Sequence, residues 1–405
     1  MDIKQDMKRA WKLFKSNNSL EAEKIIRKLI AVNPHIPQSY FALSQILFEN
    51  RKFQDSLHFF QEGNNVSKGR KSMNVCSIVK SSVLDKKKYS NETPYISKKE
   101  NIYISSDFWT VFDNKNFFAE EITNRNYLRS SAIKFFTKDK KNFLIEYSKN
   151  YEVVTDPCVL IGGHKNLFHW LVDYVARLQL IEKDKELSKL PILVNDEMAS
   201  HQIESLKILG ISNDQLIKFP SDLTLNSIIK CNSVYVPTLF SKKISDMKLA
   251  ILWLREKFMD KDIKSINRGK KNLFVSRRDP NRRRLINEKE LIMELKKYNF
   301  DLIIPEQFSL KEQIKIFSDA RIIIGPHATG LANMIWSPSR TVVIDLRGQY
   351  NNFKYLKELA LSHNIDYKVQ FGPATAGSQD SEYDRQMSDF SIEMDNVLKL
   401  VQSVL

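Results

Sequence analysis

A chain of 405 residues with 42% apolar side chains is long for one compact core and reads as two or three domains. A formal charge of +15 favours an anionic partner: nucleic acid, acidic lipid headgroups, or a phosphorylated or acidic substrate. No apolar run approaches the roughly 18 residues of a membrane span, the charged start MDIKQDMKRAWKLFK lacks a signal-peptide core, and Cys76, Cys158 and Cys231 have no disulfide or zinc spacing, so an intracellular chain with buried cysteines is expected.

The first segment repeats itself at a period of 34 residues. Ala10 falls on Ser44, Leu13 on Leu47, Phe14 on Phe48, Ala22 on Ser56 and Ile25-Ile26 on Phe59-Phe60, with Pro34 where a helix pair should end. Small residues at two crossing positions with large apolar ones between them are the pattern of tetratricopeptide helix pairs, here about two repeats within 1–66. About three are needed for independent stability, so this unit is expected to lean on a neighbour. It reads as either a protein-docking face or a helical cap. Residues 67–100 are polar and lysine-rich and read as a linker with at most short strands.

Beyond residue 101, short β-rich runs alternate with amphipathic helices. CVLIG (158–162), PILVN (191–195) and SVYVP (233–237) form a first series of strands, with helices near 166–182, 199–209 and 243–259. NLFVS (272–276), FDLII (300–304), RIIIG (321–325), TVVIDL (341–346) and DYKVQ (366–370) form a second. Near-continuous Val and Ile strands spaced by helices imply α/β architecture with parallel sheets. Two series imply two Rossmann-like lobes, 101–262 and 263–375, followed by a terminal loop and helix over 376–405. Open sheets of this kind bind ligands beyond the carboxyl ends of their strands.

Three stretches at such ends could carry chemistry. Asn166, His169 and Asp173 follow CVLIG at helical spacing, and the i, i+4 carboxylate could orient the imidazole as a general base. A hydrogen-bonded capping cluster fits the same spacing. His164, in the preceding glycine loop, is a ligand contact or simply exposed. After NLFVS come Arg277 and Arg278, then Arg282, Arg283 and Arg284. Guanidinium forks suit phosphate oxygens. The third stretch, RIIIGPHATGLANMIWSP (321–338), runs from a strand through Gly325 and His327 into a helix expected to start at Ala328 or Thr329, where Gly330 and free N–H groups could hold an anion. It is neither a P-loop nor a GxGxxG turn.

Taken in order, four motifs resemble glycosyltransferase family 61, often described as capsular polysaccharide biosynthesis proteins in bacteria: N-x-x-H-x-x-x-D, V-S-R-R-x-x-x-R-R-x-I-N-E, P-E-x-x-S-x-x-E-Q-I-x-x-F-S-x-A and I-I-G-P-H-x-x-G-L-A-N-M. The likeness covers roughly residues 100–400. It implies a GT-B-type pair of lobes and inverting transfer from a nucleotide sugar, commonly UDP-linked, to a saccharide or glycolipid hydroxyl. It implies no metal or other cofactor. Carried over, Asp173 and His169 become the catalytic pair. Asn166, His164, Arg277, Arg278, Glu306, Gly325, His327, Ala328, Thr329, Gly330 and Asn333 become substrate contacts. Where the family mostly has His-Gly-Ala-Gly, this chain has His327-Ala328-Thr329-Gly330. The expected setting is the cytoplasm, with peripheral contact to the membrane's inner face and a protein partner on the helical repeats. A basic nucleic-acid-binding protein and a repeat scaffold with a degenerate transferase domain are the alternatives.

Overall fold

A computed structural model describes residues 2–69, 74–81, 94–118, 128, 130–219, 228–238, 243–264, 268–277, 282–377 and 379–405. The chain forms two compact units. One comprises Met1–Gly162, Lys189–Glu197 and Leu216–Thr238, the other Gly163–Ser188, Met198–Gln215 and Leu239–Leu405. The division is not the single cut near 262 that charge and apolar content suggest, because 163–188 and 198–215 group with the C-terminal sheet. Among the described residues, no helix is long and apolar enough to cross a membrane.

The first unit opens with four helices, α1 (Ile3–Lys15), α2 (Ser19–Val32), α3 (Pro37–Glu49) and α4 (Phe53–Lys68). Asp2 caps α1 by accepting from the Lys4 and Gln5 amides, and Gly69 ends α4 at φ 61°. The small residues of the 34-residue period, Ala10, Ala22, Ser44 and Ser56, are all buried. Two of them meet across α3 and α4, where the Ser44 hydroxyl donates to the Ser56 carbonyl at 2.7 Å and the Ser56 hydroxyl to the Ser44 carbonyl at 2.8 Å. The period thus records where helices approach closely. The helices lean on the sheet beside them. Phe48, Phe60 and Leu144 share one buried cluster, and Asn64 of α4 donates to buried Glu146 at 2.9 Å.

That sheet contains β1 (Val75–Ser81), β2 (Ile96–Ser105), β3 (Thr110–Phe112), β4 (Asn116–Phe117), β5 (Ile133–Phe136), β6 (Asn142–Tyr147), β7 (Glu152–Val154), β8 (Cys158–Leu160), β9 (Ile192–Asn195), β10 (Leu216–Phe219) and β11 (Ile228–Pro237). The order is β10-β9-β8-β11-β2-β3-β4-β1-β6-β5, with β7 also pairing β11. Two expectations change here. The parallel series β10-β9-β8-β11 is only one end of a mixed sheet, because β11 continues antiparallel onto β2. The stretch read as a linker holds β1, which pairs with β6 along its length, and the first half of β2. β1 and the first half of β2 are mostly half-buried or exposed, and Ser77, Lys80, Lys98, Lys99 and Glu100 interrupt their apolar runs, which conceals them from periodicity. Cys158 and Cys231 are fully buried, and half-buried Cys76 has its thiol pushed up to about 12 by burial.

The second unit is built on five parallel strands, β12 (Lys271–Val275), β13 (Phe300–Ile303), β14 (Ala320–Pro326), β15 (Val342–Gly348) and β16 (Asp366–Gly372), ordered β13-β12-β14-β15-β16. Helices Glu288–Lys296, Leu310–Ser318, Thr329–Trp336 and Tyr355–Ser362 connect them. Ser309 and Glu312 form a reciprocal capping box at Leu310–Ser318. Ile322 and Ile324 lie in a core closed by Val397 and Val401 of the last helix, Met394–Gln402. In such an order the switch point lies between β12 and β14, where the chain departs in opposite directions along the sheet.

Candidate functional site

The switch point puts Ser276-Arg277 and His327-Ala328-Thr329 beside each other, because both follow the carboxyl ends of neighbouring strands. Close approach here depends on Gly325. A Cβ at that position would lie 2.3 Å from the Val275 carbonyl oxygen of β12. A Cβ on Gly330 would meet Val275 Cγ1 at 3.0 Å and Pro305 at 3.2 Å. Both glycines are therefore packing requirements, where the sequence suggests only room for an anion.

Arg277 is half-buried, and its Nη1 donates to the Arg282 carbonyl at 2.9 Å and the Arg283 carbonyl at 3.3 Å. Burial first, and then the neighbouring Arg283 charge, lower its pKa, partly opposed by Tyr355, Glu306 and Glu288. Two guanidinium groups close enough to disfavour each other are a site for an anion. Arg278 lies outside the described residues. Arg284 is used elsewhere, paired with Asp389 at 2.6 Å, and Arg282 donates to the Tyr383 hydroxyl.

The segment following β8 turns through Gly162, at φ 77°, before entering the second unit. Its helix is not the regular α-helix expected from spacing. His169–Tyr174 is a π-turn, continued by a short 3₁₀ turn over Val175–Arg177. Such turns recur at functional sites because they re-aim side chains. His169 Nδ1 and Asp173 Oδ2 are 2.6 Å apart. With Asp173 ionised, Nδ1 carries the proton and Nε2 keeps its lone pair. The imidazole is 30% exposed and the carboxylate 6%, so the ring is the reachable member and the acid sits behind it. Trp170 Nε1 donates to Ser205 at 2.7 Å, fixing the turn to helix Ser200–Ile208. His164 accepts from the Asn166 amide through Nδ1 at 2.9 Å. Burial, and then nearby His169, depress its pKa to about 4, leaving it a neutral Nε2–H donor.

Asn166 links this segment to the third stretch. Its Nδ2 donates to Thr329 Oγ1 at 2.6 Å, while its Oδ1 accepts from the His169 amide at 3.3 Å. Thr329 begins a 3₁₀ helix, Thr329–Trp336, after extended Ala328. A cavity of about 580 Å³ adjoins it, lined among others by Asn166, His201, Glu204, Glu306, Thr329 and Gly330. Glu306 is exposed on the Pro305–Gln307 turn. Glu204 accepts from the Leu310 and Lys311 amides at 2.7 and 3.0 Å, so that helix start is already occupied. Asn333 is buried, with Nδ2 on Gln313 Oε1 and the Gly330 carbonyl, and so holds the loop's shape.

His327 is only 1% exposed. Its Nδ1 donates to Asp345 Oδ2 at 2.7 Å, the oxygen that also receives Arg347 Nε at 2.7 Å and the Tyr367 hydroxyl. Phe353 stacks on the ring and Tyr355 meets it edge-on. Burial lowers its pKa against the pull of Asp345. A neutral ring with Nε2 as acceptor suits a hydroxyl donor and not a phosphate oxygen, which narrows the sugar-or-phosphate reading. Asp345, Arg347, Tyr355 and Tyr367 have no motif around them in the sequence, and only their position at the end of β15, in the helix after it and at the start of β16 could have drawn attention.

No curated protein matches the chain. The comparison with family models leaves His164 and Asn166 just before the matched segment and Asp345 just after it. Residues 167–344, which carry His169, Asp173, Arg277, Glu306, His327 and Thr329, match the family described as Glycosyltransferase 61, and this similarity supports glycosyltransferase activity for the chain.

Proposed function

We propose that the protein is an inverting, metal-independent glycosyltransferase that moves a sugar from a nucleotide-sugar donor, UDP-linked, to a hydroxyl of a saccharide or glycolipid acceptor in cell-surface polysaccharide synthesis. The observation that carries this reading is the His169–Asp173 pair held, through Asn166, on the same Thr329 that opens the loop beside Arg277. The donor diphosphate lies against Arg277 and Arg283 and the amides of Ala328–Gly330. His169 Nε2 takes the proton as the acceptor oxygen bonds to the sugar's anomeric carbon and the bond to the diphosphate oxygen breaks. Asp173 orients the ring and balances the imidazolium, and the arginines meet the charge growing on the leaving group. A GT-B-type pair of lobes, a tetratricopeptide-like docking segment and a cytoplasmic, membrane-peripheral setting complete the proposal.

Binding and turnover of a panel of UDP-, GDP- and CMP-sugars test it. Turnover is expected with a UDP-sugar. Arg277→Ala should lower the rate on the order of a hundred- to a thousand-fold. His169→Ala and Asp173→Asn should lower it by about a hundredfold or more while UDP binding persists. Unchanged turnover in all three variants would remove the site assignment, and no binding of any nucleotide sugar would remove the function.

A further inference from the structure

We infer that the second unit carries another anion site, a pocket of three arginines that takes a phosphate monoester, at the end of the parallel sheet where β14 and β15 begin. A cavity of about 460 Å³ lies there, between Gly269, Arg321 at the start of β14, and the turn Pro338–Val342 that leads into β15. Cavities of a few hundred Å³ are the size that hold small ligands. The candidate donor site lies beyond the opposite, carboxyl ends of the same strands, so the two are separate.

Arg268, Arg321 and Arg340 enter the lining from three different segments, and among the described residues no aspartate or glutamate lines it with them. Among the described residues, the side chains of Arg268 and Arg340 have no hydrogen bond or ion pair, whereas Arg321 donates to a main-chain carboxylate oxygen of Leu405. Arg321 is thus engaged by an oxygen of the chain itself, and Arg268 and Arg340 are the two guanidinium groups left to take a ligand. The positive excess is local. The adjoining cavity of about 440 Å³ sets Lys270, Lys271 and Lys315 among Asp262 and Asp319. Elsewhere in this unit Lys257 is paired with Glu182, Arg284 with Asp389 and Lys297 with Glu294.

The framework is fixed before any ligand arrives. Arg340 is held at φ 69°, with its amide on the Asn364 carbonyl at 2.9 Å. Thr341 Oγ1 ties the turn to the Ala320 and Pro338 carbonyls, each at 2.8 Å. A backbone kept in the left-handed region by its surroundings presents the side chain from one direction only. Guanidinium forks pair with phosphate oxygens two at a time. Three arginines lining one concavity, two of them unpaired, suit a terminal phosphate, whose charge of about −2 answers them better than the single charge of a nucleic-acid phosphodiester. The same chemistry is presented by a soluble sugar or glycerol phosphate and by the headgroup of phosphatidic acid.

The test uses the full chain, inorganic phosphate, glycerol 3-phosphate, and phosphatidylcholine vesicles with and without phosphatidic acid. Phosphate or glycerol phosphate should raise the melting temperature of the wild type and of Arg277→Ala alike. The double variant Arg268→Ala/Arg340→Ala should bind at least about tenfold more weakly, since each lost charged hydrogen bond is worth roughly that factor. Its sugar-transfer rate should be unchanged. Co-flotation with phosphatidic acid vesicles, lost in the double variant, identifies a lipid headgroup as the source, and binding of the soluble probes without flotation identifies a free phosphate monoester. Binding by the double variant within about twofold of wild type overturns the proposal. So does an equal loss in Lys270→Ala/Lys315→Ala, which would make the attraction diffuse, and so does failure of every probe to bind.

Discussion

Thr329 stands where the resembling family mostly has alanine, and its hydroxyl oxygen accepts from Asn166 Nδ2 at 2.6 Å. The hydroxyl hydrogen is then free to donate, and at the proposed donor site it would meet a phosphate oxygen. The bond also ties the segment carrying His169 to the loop after β14, across 163 residues of sequence. Thr329→Val keeps the shape and removes both functions of the oxygen. Transfer should fall by about a hundredfold, the scale of losing one transition-state donor. Thr329→Ser should stay within a few-fold of wild type. Steady-state rates of the two variants check this, and equal rates for Val and Ser would make the hydroxyl a bystander. Exposure bears on the division of labour in the proposed catalytic pair. Sequence spacing only puts His169 and Asp173 within reach of each other, whereas their exposures of 30% and 6% favour the ring as the base in the proposed mechanism.

Strand spacing at the switch point rests on one missing methyl group. A Cβ on Gly325 would sit 2.3 Å from a backbone oxygen of β12, and a strand held by its own ladder cannot give way as a side chain can. Gly330 faces Val275 Cγ1 and the Pro305 ring at 3.0 and 3.2 Å, where small rotations relieve the contact. Gly325→Ala should therefore cost about 1–3 kcal/mol or more, and Gly330→Ala less. Urea unfolding midpoints would show it, and the idea fails if the order of the two is reversed. The elements themselves were unequally legible. The three inner strands of the second unit, β12, β14 and β15, are visible in sequence because both faces are buried and the runs are rich in Val, Ile, Leu and Phe. β1 and β2 escape because polar and charged residues interrupt their apolar runs, as in ISKKENIYIS of β2, and β3 and β4 because 3 and 2 residues are too short to show a period. The π-turn at His169 escapes because its residues have ordinary helical periodicity and only its packing reveals the extra residue. The Asp345 network escapes because it joins positions 2 to 22 residues apart that share no motif.

At the scale of the whole molecule, buried histidines set how stability answers to acid. His164, His201, His327 and His363 all have pKa values lowered chiefly by burial, His164 and His363 to about 4. In the unfolded chain each titrates near about 6.5. Between roughly pH 6.5 and 4 the unfolded state therefore binds more protons than the folded one, and stability falls as pH falls through that window. Glu288 and Asp246, raised by burial, act in the opposite sense, since protonation favours their folded form. Carboxylates lowered by partners, such as Glu23 beside Arg27 and Lys52, add to the loss only near the acid end. His363 isolates the histidine effect, because it lies away from the candidate site, bonded through Nε2 to the Ser337 carbonyl at 2.9 Å and beside the Arg255 charge. His363→Gln can keep that donor without a titrating group. The wild type should lose unfolding free energy steadily from about pH 6.5 to about pH 4.5, with His363 contributing at most about 1.4 kcal/mol per pH unit. The variant should show a shallower slope by up to that amount and the same stability within about 1 kcal/mol at about pH 8, where the ring is neutral in both states. Equal slopes for the two proteins in denaturant titrations across this range would show that the cost of charging His363 in place is relieved by local opening and not by global unfolding.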